Sequence, residues 1–334
     1  MDQLIYERTA MRPTGRAWAK HSLLLLITFC TATIAGTLYP FGLYADFPMA
    51  DPQSLHELFE MVLALPSNYL LLISDAVVRV LTNFDYLKYG LSFSLSLIFI
   101  LVSHEMGHYI ACRVYGVDAT LPYFIPTPPL IGPAGTFGAF IRILSPMPSR
   151  RAVFDIGVAG PIAGFAALIP VAILGIATMQ TMPIDAPAPE GAVVFADPLM
   201  MRLIASVYGV DLQFGFGNAF YFAAWVGLLV TALNLIPSGQ LDGGHALYAV
   251  FGASVHHWTG RIAFATMATL SVIGWFFYNS PSGFLMTILL AIMMRVPHPE
   301  PWDNTPLDSK RILIAILVLV MFVVCFVPFP IRIT

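Results

Sequence analysis

The chain has 334 residues, of which 58% are hydrophobic and 10% charged. Soluble domains carry about 25% charged residues, so the composition excludes an ordinary soluble globular protein and fits an integral membrane one. The net charge of −3 says little about partners, and no nucleic acid is expected among them. The three cysteines, Cys30, Cys112 and Cys325, lie in or beside apolar runs without metal-ligand spacing, so no disulfide framework is expected.

In chain order, the basic start "MDQLIYERTAMRPTGRAWAK" precedes an apolar run with no clear cleavage site, which reads as a retained first span. A membrane-crossing helix needs roughly 20 mostly apolar residues. Candidates lie at 22–39, 91–111, 153–178, 218–236, 262–278, 283–296 and 312–329. The stretch 54–82 is partly apolar but holds Pro66, Asp75 and Arg79, which suggests an amphipathic surface helix or a re-entrant piece. The expected fold is thus an all-α polytopic membrane protein with about seven transmembrane helices. After the second span, "GVDATLPYFIPTPPLIGPAG" followed by "TFGAFIRIL" predicts a short membrane-associated β-hairpin. Irregular backbone at that depth needs protein or a water-filled cavity around it. With the N-terminus in the cytosol, 12 of the 16 Lys and Arg residues fall on the cytosolic side, as the positive-inside rule requires. Three regions are expected: 1–90, with the first span and the ambiguous segment; 91–260, the core; and 261–334, the C-terminal spans.

"HEMGH" stands inside the second of these apolar runs. His104 and His108, four residues apart on a helix, share one face and can grip one metal ion. Glu105 beside them can take a proton from a water that the metal activates. Each ionisable group near the bilayer centre costs on the order of 2.5–3.5 kcal/mol on insertion scales, a cost that ligation offsets. A catalytic zinc site usually has three protein ligands and one open position. Asp242, in "NLIPSGQLDGGH" at the end of the fourth span, is the best third candidate, with Gly243 and Gly244 permitting close backbone approach. The second and fourth spans run in the same direction, so both motifs reach the same side at similar depth.

The pair "HEMGH" and "NLIPSGQLDGGH" resembles the signatures of the site-2 protease family of intramembrane zinc metalloproteases, in the same order. "GTFGAFIRI" (135–143) and "FDIGVAGPIAG" (154–164) look like segments found between those motifs. The resemblance covers about 90–260. It implies one Zn²⁺ per chain held by His104, His108 and Asp242, Glu105 as acid/base, and a membrane-protein substrate cut within or beside its transmembrane segment. The loop 179–217 is too short for a PDZ insert, which points to the PDZ-less branches with bacterial and plastid members. A multi-pass protein of a bacterial inner membrane or its plastid equivalent is therefore expected.

Other residues divide between chemistry and packing. Asn234 can hold the scissile carbonyl or oxyanion, or make an interhelical hydrogen bond. A protease must meet its peptide extended, and the strand containing Gly135 and Gly138 offers an edge that could capture it. His245 could reach the metal, but three ligands already leave only the position that water needs. Asp155 suits a helix start, and Gly157, Gly160 and Gly164 suit close helix packing. A di-iron hydroxylase would need further histidine boxes that the sequence lacks. A non-catalytic metal transporter or sensor is the alternative; it would use the same ligands without needing Glu105.

Overall fold

Six of the described α-helices begin where a polar cap meets the chain of the helix. The computed structural model describes residues 10–38, 40–42, 53–132, 134–181, 193–296 and 300–333. The Thr14 hydroxyl accepts from the Ala17 amide to start α1 (Gly15–Thr37), and Ser54 accepts from Glu57 to start α2 (Leu55–Thr82). Asn83 closes α2 and caps α3 (Phe84–Val114), accepting from Asp85. Ser149 caps α4 (Arg150–Ala177). Such caps satisfy amides that a helix end leaves without partners. The remaining helices are α5 (Leu199–Tyr208), α6 (Ala219–Asn234), α7 (Asp242–Phe251), α8 (Ala253–Tyr278), α9 (Ser282–Met293) and α10 (Ser309–Cys325). Six short strands form three antiparallel pairs: β1 (Tyr123–Pro126) with β2 (Thr136–Phe140), β3 (Gln180–Thr181) with β5 (Gly215–Phe216), and β4 (Val193–Phe195) with β6 (Ile331–Ile333).

Among the described residues, five helices are long and apolar enough to cross a membrane: α1, α2, α3, α4 and α8. This differs from the expected set in two ways. The stretch 54–82 is one continuous 28-residue helix, α2, with Pro66 inside it. The spans expected at 218–236, 283–296 and 312–329 are helices of 16, 12 and 17 residues. α6 is short because the chain leaves the helix after Asn234 and turns through Pro237 and Gly239, the latter at φ +56°, to deliver Asp242.

Contacts fix the helix directions. The Arg113 guanidinium donates to the Ala10 and Met11 carbonyls at one end of α3. At the other end, Ser94 bonds Thr33 and the Tyr89 hydroxyl donates to the Phe41 carbonyl. α1 and α3 are therefore antiparallel, and the segment 38–83 begins and ends on the same face despite the length of α2. α4 runs antiparallel to both α3 and α6: Gly160 and Gly164 face His108 and His104, while Gly175 and Leu168 face Tyr221 and Gly227. α3 and α6 therefore run in the same direction, as the motif argument required.

Among these helices sits a core that includes Phe93, Leu97, Ile100, Leu168, Trp225 and Leu228. In lipid, close packing rather than water exclusion holds helices together. A Cβ at Gly107 would lie 2.4 Å from the Ala159 carbonyl oxygen, which shows how closely α3 and α4 approach. Asp155 ties three elements at one end of the bundle. It accepts from the Tyr115 hydroxyl after α3 and from Arg311 of α10, whose Nε lies 2.9 Å from Asp155 Oδ1. Asp155, expected at a helix start, lies past the first turn of α4, which holds no acidic residue, so its role is this tie between segments far apart in sequence.

The β1–β2 hairpin leans on α1. The Thr31 hydroxyl donates to the Gly135 carbonyl at 2.7 Å, and His21 Nδ1 lies 2.9 Å from the Pro122 carbonyl oxygen. Tyr123 pairs with Phe140 and Phe124 with Ala139 across the ladder, and among the described residues the outer edge of β2 has no neighbouring strand.

Candidate metal centre

His104 and His108 are both buried on α3, one helical turn apart, and their Nε2 atoms are 3.1 Å apart. Asp242 opens α7 and faces both: its Oδ2 is 3.2 Å from His104 Nε2 and its Oδ1 3.3 Å from His108 Nε2. Two imidazoles and a carboxylate thus converge from two segments more than a hundred residues apart in sequence. One ligand atom from each lies within 4.8 Å of the others.

The surroundings prepare this cluster. His108 Nδ1–H donates to the Ile156 carbonyl at 2.7 Å. That bond leaves Nε2 as the lone pair directed at the cluster, the usual arrangement of a metal-binding histidine. Two nitrogen donors and one carboxylate suit zinc better than calcium or magnesium, which prefer all-oxygen shells. The residues present therefore fit a zinc ion held by His104, His108 and Asp242.

Small residues make the room. A Cβ at Gly160 would fall 2.1 Å from His108 Nε2, and one at Gly164 would lie 3.0 Å from the His104 Cβ. The glycine face of α4, expected to serve close helix packing, serves the histidines as well. The turn before α7 is equally tight: a Cβ at Gly243 would lie 2.1 Å from the Leu235 carbonyl oxygen. At the far end of α7, Arg150 donates to the Ala249 and Val250 carbonyls at 2.6 and 3.1 Å. A cation there satisfies helix-end carbonyls and favours the helix dipole. Arg150→Ala should therefore loosen α7. Hydrogen bonds to charged groups are worth about 1.5–3 kcal/mol each, so a lower thermal midpoint is expected in detergent, together with weaker zinc retention. An unchanged melting curve would remove Arg150 from this role.

Glu105 is buried at 5% exposure, next to His104 but outside the group of three ligand atoms. It lines the same cavity of about 280 Å³ as the ligands. Ile141, just after β2, lines the cavity with it. A carboxylate beside the cluster but not within it is free to handle a proton.

Asn234, at the end of α6, also lines the cavity, with its Nδ2 3.4 Å from His104 Nε2. Gly135 and Gly138 do not. Gly135 packs against the α1 backbone, where a Cβ would lie 2.4 Å from the Thr31 carbonyl oxygen, whereas a Cβ at Gly138 would meet open space. From the same strand and the residues just after it, Ala139, Phe140 and Ile141 reach the cavity. Nothing in the sequence points to a cavity role for Gln240 or to the Gly160 cradle, and His245 stands out there only as a candidate metal ligand. The spacing of His245, three residues after Asp242 on one helix face, is the signal that places it here.

Residues 92–275 match the family model for Peptidase family M50. The chain is 27% identical over 270 residues to "Probable zinc metalloprotease EGY2, chloroplastic" of Oryza sativa subsp. indica, covering 78% of this chain and 46% of that protein. It is 29% identical over 257 residues to the protein of the same name from Arabidopsis thaliana, covering 75% and 44%. A third relative, "Probable zinc metalloprotease EGY1, chloroplastic" of Arabidopsis thaliana, is 28% identical over 239 residues, covering 69% and 41%. The chain thus spans less than half the length of these curated relatives. No solved structure matches it. On its matched residues and its two motifs, the chain belongs to peptidase family M50, the family of the site-2 proteases.

Proposed function

We propose that the chain is an intramembrane zinc endopeptidase that cuts transmembrane or juxtamembrane segments of other membrane proteins. The observation that carries this reading is the convergence of His104, His108 and Asp242 at 3.1–3.3 Å, with Glu105 in the same cavity. Zinc, when bound, supplies Lewis-acid polarisation and a lowered water pKa. The chain's own residues do the rest. The Glu105 carboxylate accepts a proton from the attacking water and returns it to the leaving amine. The Asn234 amide, which lines the same cavity, holds the scissile carbonyl in this reading. The Ile156 carbonyl keeps His108 in one tautomer. A transporter or sensor would have no use for Glu105 at this position.

The substrate meets the site in extended form. The free edge of β2 supports this, because main-chain hydrogen bonds can add a peptide as another strand beside the cavity. Gly138, with open space around it, suits close approach, and Gly135 sets the hairpin against α1. The catalytic core is 91–260, between an N-terminal region 1–90 and C-terminal helices 261–334. Seven passes are made by α1, α3, α4, α6, α8, α9 and α10 in a lipid bilayer, with the N-terminus cytosolic. The names of the relatives, which include "chloroplastic", are compatible with a plastid or a bacterial inner membrane. Reporter fusions in loops 112–152 and 235–252 should report the cytosol, and a fusion near residue 210 the opposite side. The same compartment for all three would break the topology.

The activity is tested by comparing membrane proteins in cells carrying the wild type or Glu105→Gln. Specific membrane proteins should accumulate uncleaved with the variant. Identical profiles would overturn the protease reading.

A further inference from the structure

We propose that His245 is a second donor to the carbonyl oxygen of the scissile bond, acting beside Asn234 as charge builds on that oxygen. The proposal rests on the protease reading and adds a residue to it. His245 lines the cavity that holds Glu105 and the three ligands. It stands three residues after Asp242 in α7, hence on the same helix face. Gly157 on α4 clears its path, because a Cβ there would lie 2.8 Å from the His245 Cβ.

Its place also separates it from the ligands. The group of ligand atoms within 4.8 Å of one another comprises His104, His108 and Asp242, without His245. A fourth protein ligand would fill the position that catalytic zinc sites leave open. Among the cavity's other polar side chains, Glu105 is the proton acceptor, and Gln240 is exposed. Asn234 and His245 remain as donors, reaching the cavity from α6 and α7. Preorganised donors held on rigid helices are what stabilise a developing oxyanion, and losing one costs about 10²–10³-fold in turnover.

The test uses full-length protein in detergent and acetohydroxamate, a small metal-chelating anion whose carbonyl oxygen occupies the position of the oxyanion. His245→Phe keeps a ring without donors, and His245→Gln restores an N–H. Zinc content is read by elemental analysis and acetohydroxamate affinity by calorimetry. The expected result is unchanged zinc in both variants, affinity at least about tenfold weaker for His245→Phe, and recovery with His245→Gln. Unchanged affinity in His245→Phe would overturn the proposal. So would loss of zinc from both variants, because His245 would then be holding the metal. If the wild type binds zinc and acetohydroxamate but cuts no membrane protein, the protease reading fails instead, and this proposal with it.

Discussion

Glu105→Gln protein is expected to fold, keep its zinc, and cut its substrate at least about a hundredfold more slowly than the wild type. The substitution preserves shape and keeps a hydrogen-bonding group. What it removes is the ability to accept a proton. General-base assistance is typically worth about 10²–10⁴-fold, and the same carboxylate also returns the proton to the leaving amine. Zinc should be unaffected, because Glu105 lies outside the group of three ligand atoms. Zinc analysis and cleavage assays on the same preparation check both halves. Near-normal cleavage by zinc-loaded Glu105→Gln would remove the glutamate from the chemistry.

Gly160→Ala should empty the site although no ligand is replaced. The added methyl would sit 2.1 Å from His108 Nε2, far inside contact distance. The imidazole must swing away, and its Nδ1–H bond to the Ile156 carbonyl goes with it. Loss of an orienting partner typically costs 10–100-fold in metal affinity, and displacement of the ligand itself should cost more. Zinc titration of Gly160→Ala should therefore show at least about a hundredfold weaker binding, while Gly138→Ala, facing open space at φ +91°, should bind zinc normally. Equal affinity in the two variants would mean that α4 does not shape the His108 pocket.

The chemistry was more legible in the sequence than the architecture. Residues 104 and 108 declare their shared face through helical spacing, and two glycines after Asp242 announce a close turn. Convergence of the two motifs follows from counting passes, and it holds because α4 runs antiparallel to both α3 and α6. Pro66, Asp75 and Arg79 interrupt the stretch 54–82, which suggests an amphipathic surface helix or a re-entrant piece. In the fold the two charges neutralise each other, Arg79 Nε donating to Asp75 Oδ2 at 2.7 Å, and the helix continues through Pro66. An i,i+4 pair of this kind is visible in sequence, but whether it allows a long helix depends on packing against α3 and the loop, where Tyr69 bonds the Pro129 carbonyl. The role of Gly160 was hidden for a different reason. A small-residue stripe signals close packing without saying which side chain fills the gap, and only the α3–α4 register identifies it as His108.

The most direct measurement is the zinc content of purified wild-type protein alongside Asp242→Ala. The wild type should hold about one zinc per chain, and Asp242→Ala should hold little, because the carboxylate that spans His104 and His108 at 3.2 and 3.3 Å is gone. Full zinc in Asp242→Ala, or none in the wild type, would contradict the assignment of these three residues as the metal centre.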